Sequence, residues 1–137
     1  MRTLNNEFLT YEQALELKEL GFDEECCAMF MKDVLKLRCW CKNSEFEDKI
    51  LFTAAPTFSQ AFRWFREKYV LLGFIEPANG YEDKSLFAFY ICDDEQNIIN
   101  DEHSYSKDSS LHFKTYEEAE LACIDKLIEI VKKWNIK

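Results

Sequence analysis

Six cysteines carry the most reactive atoms of the chain: Cys26, Cys27, Cys39, Cys41, Cys92 and Cys123. In Cys39-Trp40-Cys41 both sulfurs fall on one face of a strand, because strand side chains alternate with a period of two. Zinc asks for four convergent ligands, usually with two to four residues between paired cysteines. Cys26, Cys27, His103 and His112 are the residues that could complete such a set. The face bearing the two sulfurs also bears Leu35 and Leu37, so core packing accounts for it. Vicinal Cys26-Cys27 would point to opposite sides of a strand, which opposes joint ligation. The expectation is of structural thiols, behaving as small buried hydrophobes in a reducing compartment, with no metal and no cofactor.

The remaining reactive groups form no recognisable machinery. His103-Ser104-Tyr105-Ser106 and His112 could supply a base and hydroxyls, the parts of nucleophilic catalysis. No G-x-S-x-G, H-E-x-x-H or P-loop accompanies them. Asp93-Asp94-Glu95, with Asp101 and Glu102, has the oxygen ligands of a Mg²⁺ site, but a charge run between strands reads as a solvated turn. No catalytic residue is expected, and the chain is not expected to be an enzyme.

Two tryptophans point to recognition instead. Trp40 alternates along its strand with the apolar positions and shares a face with Lys36, Arg38 and Lys42. Trp64 falls about 100° from the apolar stripe of its helix, at 3.6 residues per turn, near Lys68. Exposed Trp beside cations is enriched in binding hot spots, so Trp40 and Trp64 are the expected binding residues. The acidic excess lies in loops: Asp23-Glu24-Glu25, Glu45, Glu47, Asp48, residues 93–95 and Asp101-Glu102. Solubility explains it by default; a face that mimics nucleic acid is the sharper alternative.

Three helix starts are written in one formula and position these residues. Thr10-Tyr11-Glu12-Gln13-Ala14, Thr57-Phe58-Ser59-Gln60-Ala61 and Thr115-Tyr116-Glu117-Glu118-Ala119 are capping boxes, in which Thr accepts from the N3 backbone N–H and the N3 side chain returns to the Thr N–H. In the second helix Phe58, Ala61, Phe62, Phe65 and Tyr69 form one stripe at helical spacing. In the third, Tyr116, Ala119, Cys123, Leu127, Ile130 and Trp134 align. Gly21 is the expected stop of the first. Between the helices the period changes to two. Residues 34–42 read as a half-buried strand with Leu35, Leu37, Cys39 and Cys41 inward, joined to Cys26–Met31 through a Lys32-Asp33 turn. Residues 70–75 and 86–92 read as a second hairpin around Asn79-Gly80. Residues 50–53 and 111–113 are short apolar pieces that could be further strands; 43–48 and 93–110 are mostly polar loops.

The fold class expected is α+β: an antiparallel sheet of two hairpins plus short strands, covered by three helices, with an internal α-β-β duplication. One sheet with helices on one face fits, and so do two small αβ halves. The 137 residues suit a single domain, 1–137, and a hydrophobic fraction of 47% argues against disorder. With 17 Lys plus Arg against 26 Asp plus Glu, the net charge of −9 disfavours nucleic acid and anionic membrane surfaces as partners. No apolar stretch approaches the ~20 residues that span a bilayer, and the first residues show no apolar signal core.

The stretches 10–24, 60–69 and 115–120, quoted in part above, resemble short uncharacterised proteins encoded by bacteriophages and prophages. The resemblance covers parts of the three helices, and Gln60-Ala61-Phe62-Arg63-Trp64-Phe65-Arg66-Glu67-Lys68-Tyr69 is its most specific block. It implies a bacterial host's cytoplasm and no activity. The expected function is that of a small acidic protein-interaction module with a host or phage protein as partner, acting as an inhibitor of a host defence or host process. A minor virion component, or a thiol- or metal-dependent enzyme, are the alternatives.

Overall fold

Each helix begins where a threonine can satisfy backbone N–H groups that the helix itself leaves unbonded. In the computed structural model, which describes residues 4–77, 86–99 and 113–136, Thr10 accepts from the Gln13 N–H at 3.1 Å and donates its own N–H to Gln13 Oε1 at 3.2 Å. Helix α1, Tyr11–Glu19, follows. Thr57 and Gln60 repeat this exchange, both bonds at 3.2 Å, and open α2, Phe58–Tyr69. Thr115 caps α3, Tyr116–Asn135, by accepting from the Glu118 N–H. There the return bond differs from the expectation: Glu118 accepts from the Lys114 N–H, one residue earlier.

The chain divides into two units, Met1–Ala61 and Phe62–Lys137, and the boundary falls inside α2. In the first unit α1 ends as its glycine dictates. Gly21 adopts φ 98°, its N–H reaches the Lys18 carbonyl at 3.0 Å, and the Phe22 N–H reaches Leu17 at 2.9 Å. This is the Schellman pattern, with its usual apolar contact between the residues it joins; Leu17 and Phe22 are both buried. Strands β1, Cys26–Met31, and β2, Val34–Cys41, form an antiparallel hairpin, and β3, Phe52–Ala54, joins the far side of β1. Lys32 takes φ 54° at the turn, as the tight turns of hairpins require. Phe8, Ala14, Ala28, Phe30 and Ala55 make the core, flanked by Tyr11 and Leu35.

Asn43 ties this unit together from a short 3₁₀ turn, Asn43–Glu45. Its amide donates to the Phe22 carbonyl at 2.9 Å and accepts from the Ala54 N–H at 2.8 Å. The Lys18 ammonium donates to the carbonyls of Lys49 and Phe52. Burial, and then the like charge of Lys49, lower its pKa, against a smaller opposing pull from Asp48.

In the second unit, β4, Leu72–Pro77, pairs antiparallel with β5, Phe87–Cys92. Phe113 bonds both ways to Phe87, at 2.7 and 2.8 Å, on the short apolar piece expected before the third helix. Helix α3 packs on both strands through the stripe that the spacing predicted: Ala119, Cys123, Leu127 and Ile130 are buried, while Tyr116 and Trp134 at its ends are exposed. Gly73 lets β4 pass close under α3. A Cβ there would stand 2.9 Å from Cys123 Sγ and 2.9 Å from Phe62 Cε1.

The fold is α+β, with an α-β-β order in both units. The hairpins pair in two separate sheets, β2-β1-β3 and β4-β5, so the single-sheet arrangement is not the one adopted. Residue 70, expected to begin a strand, instead follows α2 directly, with its N–H bonded to the Arg66 carbonyl. Val70 turns left-handed at φ 55°, an outlying conformation for a β-branched residue, and the Leu71 N–H bonds back to Phe65. Among the described residues no helix is long and apolar enough to cross a membrane. The Asn79-Gly80 turn, His103, His112, Asp101 and Glu102 lie outside the described residues.

Candidate functional site

The two tryptophans part company in the structure. Trp40 is 75% exposed, whereas Trp64 is 5% exposed, which corrects its assignment as an open binding residue. The reason is local to α2. The ring of Trp64 meets Phe65 and Tyr69 edge-on, at 5.1 and 5.5 Å, and the Lys68 ammonium lies 5.1 Å over its face. Lys68 is one helical turn on, where long stems cover apolar surface and keep their heads in water. The 100° offset took Trp64 off the stripe without taking it out of cover.

Trp40 lies in a bulge of an exposed strand. The hairpin register runs Phe30↔Leu35 and Ala28↔Leu37, then jumps to Cys26↔Cys41, so β2 uses extra residues over Arg38, Cys39 and Trp40. Bulges twist and re-aim a strand. Trp40 sits in it at φ 60°, and among the described residues its ring makes no aromatic or cation–π contact. The expected inward face is not kept, either before the bulge or within it. Cys41 is buried and Leu35 half-buried, but Leu37 and Cys39 are exposed. Lys36 and Arg38 are exposed beside them, and the Arg38 guanidinium reaches no further than the Met29 sulfur, at 4.0 Å. Strict alternation, the signal read in the sequence, cannot reveal a bulge. Neither the exposure of Leu37 nor the left-handed turn of Trp40 had a sequence signal.

The thiols divide in the same way. Cys26, Cys41, Cys92 and Cys123 are buried, whereas Cys27 and Cys39 are exposed, and all six are free. Cys27 and Cys39 therefore depart from the expected buried role. Burial pushes the Cys26 thiol up to about 12, with the nearby Cys41, Cys27 and Glu24 adding to it. Burial also raises Cys41, Cys92 and Cys123. Only the thiolate is the nucleophile, so these four should be slow. Native protein titrated with an aromatic disulfide reagent at neutral pH should show two fast thiols, and denatured protein all six. Cys27→Ser with Cys39→Ser should remove the fast phase; a fast phase that survives would show that a buried thiol is reactive. Among the described residues no three His, Cys, Asp or Glu side chains gather as a metal would need.

Several carboxylates of the acidic loops serve their own backbone. Asp48 accepts from the N–H groups of Ile50 and Leu51, and Asp93 from those of Glu95 and Asn97. Asp23 accepts from the Ser44 N–H at 2.7 Å. Burial would raise the Asp23 carboxyl, but its bonds to Ser44 prevail and lower it. A pocket of about 400 Å³ beside α3 is lined by Ile99, Lys126, Ile130, Lys133 and Trp134. Both its lysines are taken up by Glu129, at 3.3 and 3.1 Å. Trp40 and its cationic neighbours are the better site. Comparison with protein-family models, with curated proteins and with solved structures gave no match.

Proposed function

We propose that this chain is a protein-interaction module, acting in the phage or prophage context that its resemblance implies, and that the β1–β2 hairpin is the surface it uses. Binding a host protein there, and so inhibiting a host defence or host process, is the role this reading assigns. One observation carries it: Trp40 stands 75% exposed, left-handed and uncovered, among Lys36, Arg38 and Leu37. A large exposed ring held by a strained backbone is costly to a lone molecule, and Trp beside Arg is the composition of binding hot spots.

Affinity capture from a bacterial host lysate tests the reading, with the wild-type chain and Trp40→Ala as paired baits. A hot-spot tryptophan is worth about 2 kcal/mol or more, so the variant should lose its partner by roughly thirtyfold. Trp40 is solvent-exposed, and the melting curve of Trp40→Ala should match the wild type. Equal recovery by the two baits, or no partner with either, would refute the assignment.

A further inference from the structure

The hairpin that bears Trp40 is a cationic island in an acidic chain. Residues 32–42 hold Lys32, Lys36, Arg38 and Lys42 against Asp33 alone, where the whole chain has a net charge of −9. Lys42 pairs with Glu45 at 3.9 Å; Lys32, Lys36 and Arg38 have no ion pair among the described residues. β2 is also the outer strand of its sheet, so among the described residues one edge of its backbone has no strand beside it. Edges of this kind are templates for another strand, and proteins blunt them with lysines and bulges. Here the bulge comes late, over residues 38–40. The first half of β2 stays in regular register with β1, and it presents Val34 and Leu37 as exposed apolar side chains.

We propose that this edge docks an acidic, extended protein segment, an assignment that rests on the interaction reading above. The segment adds as a strand along residues 34–37, where main-chain bonds supply affinity and alternate side chains specificity. Its carboxylates meet Lys36 and Arg38, and an apolar side chain lies against Leu37 and Trp40. Charge decides the occupant. Two copies of β2 paired edge to edge would bring Lys36 and Arg38 against their own kind, which is unfavourable across strands. A single strand of nucleic acid could use the cations and stack on Trp40, but it would leave the backbone edge, Val34 and Leu37 without partners.

The test is selection from a displayed library of random peptides, using the full chain and a Lys36→Glu/Arg38→Glu variant as targets. Peptides recovered by the wild type should alternate Asp or Glu with apolar residues. A synthetic peptide of the recovered sequence should bind the variant about tenfold more weakly. Its affinity for the wild type should also fall as ionic strength approaches about 1 M, where the screening length is near 3 Å. Both substituted side chains are exposed, and circular dichroism should show the variant folded. Recovered peptides without acidic enrichment, no recovery at all, or equal affinity for the variant would overturn the proposal. Tighter binding of oligothymidine than of the selected peptide would overturn it in favour of nucleic acid. If a lysate partner still depends on Trp40 while the library selects no acidic strand, the interaction reading stands and this assignment falls.

Discussion

Asn43→Ala should cost about 2–4 kcal/mol of folding free energy, because each buried polar group left without a partner costs roughly 1–3 kcal/mol. The substitution abandons two groups together, the Phe22 carbonyl and the Ala54 N–H, which the Asn43 amide now joins at 2.9 and 2.8 Å. Asn43 is itself buried, so water cannot take over without opening the turn. Urea unfolding followed by circular dichroism reads the effect as a lower midpoint at an unchanged slope. Asn43→Asp sharpens the test. The new carboxylate still accepts from Ala54 but opposes the Phe22 carbonyl, so the folded state favours its protonated form and raises its pKa. For such a group the folded state binds more protons, and stability falls as pH rises between the unfolded and folded pKa values. The deficit of Asn43→Asp relative to wild type should therefore shrink on acidification, while that of Asn43→Ala should not follow this course. A midpoint for Asn43→Ala equal to wild type would remove Asn43 from its structural role.

Gly73→Ala should destabilise the chain by about 1–3 kcal/mol, the usual cost of forcing an extra methyl into a packed interior. Glycine inside a strand often marks a close approach of other atoms. Here a Cβ would meet the Cys123 sulfur and the edge of the Phe62 ring, both at 2.9 Å. The Phe62 ring can tilt, but Cys123 is held in the buried face of α3. The cost should therefore depend on that sulfur. In a Cys123→Ala background the same Gly73→Ala change should cost about 1 kcal/mol less, a coupling of the size that touching residues show. Strictly additive costs would mean that β4 shifts away from α3 as a whole.

What the sequence disclosed was local. The three Thr-aromatic-x-Gln/Glu-Ala blocks begin three helices, Gly21 ends the first, and the α3 spacing buries Cys123, because each of these depends on residues within a turn or two of one another. What it hid lay partly in cover and capping that residue type alone does not show, and partly in pairing between strands far apart in sequence. Trp64 lies off its stripe yet is covered, since Lys68 and Tyr69 close over it. Val70 closes α2 from just beyond its end, although its side chain favours strand. Leu37 and Cys39 keep the alternation of an inward face, yet Leu37 is exposed while in regular register with Ala28, and Cys39 lies in a bulge defined only by pairing with β1. The division into two sheets is likewise a matter of which strands meet. Half of the expected binding pair stands exposed: Trp40 was legible from its polar-face position, and the exposed Cys27 and Cys39 were not.

The concentration of positive charge on one hairpin of an anionic chain has a kinetic consequence. On the proposed docking, the field of this hairpin draws a negatively charged segment toward it before any contact forms. Encounters that lead to the proposed docking then begin with the Trp40 hairpin facing the segment.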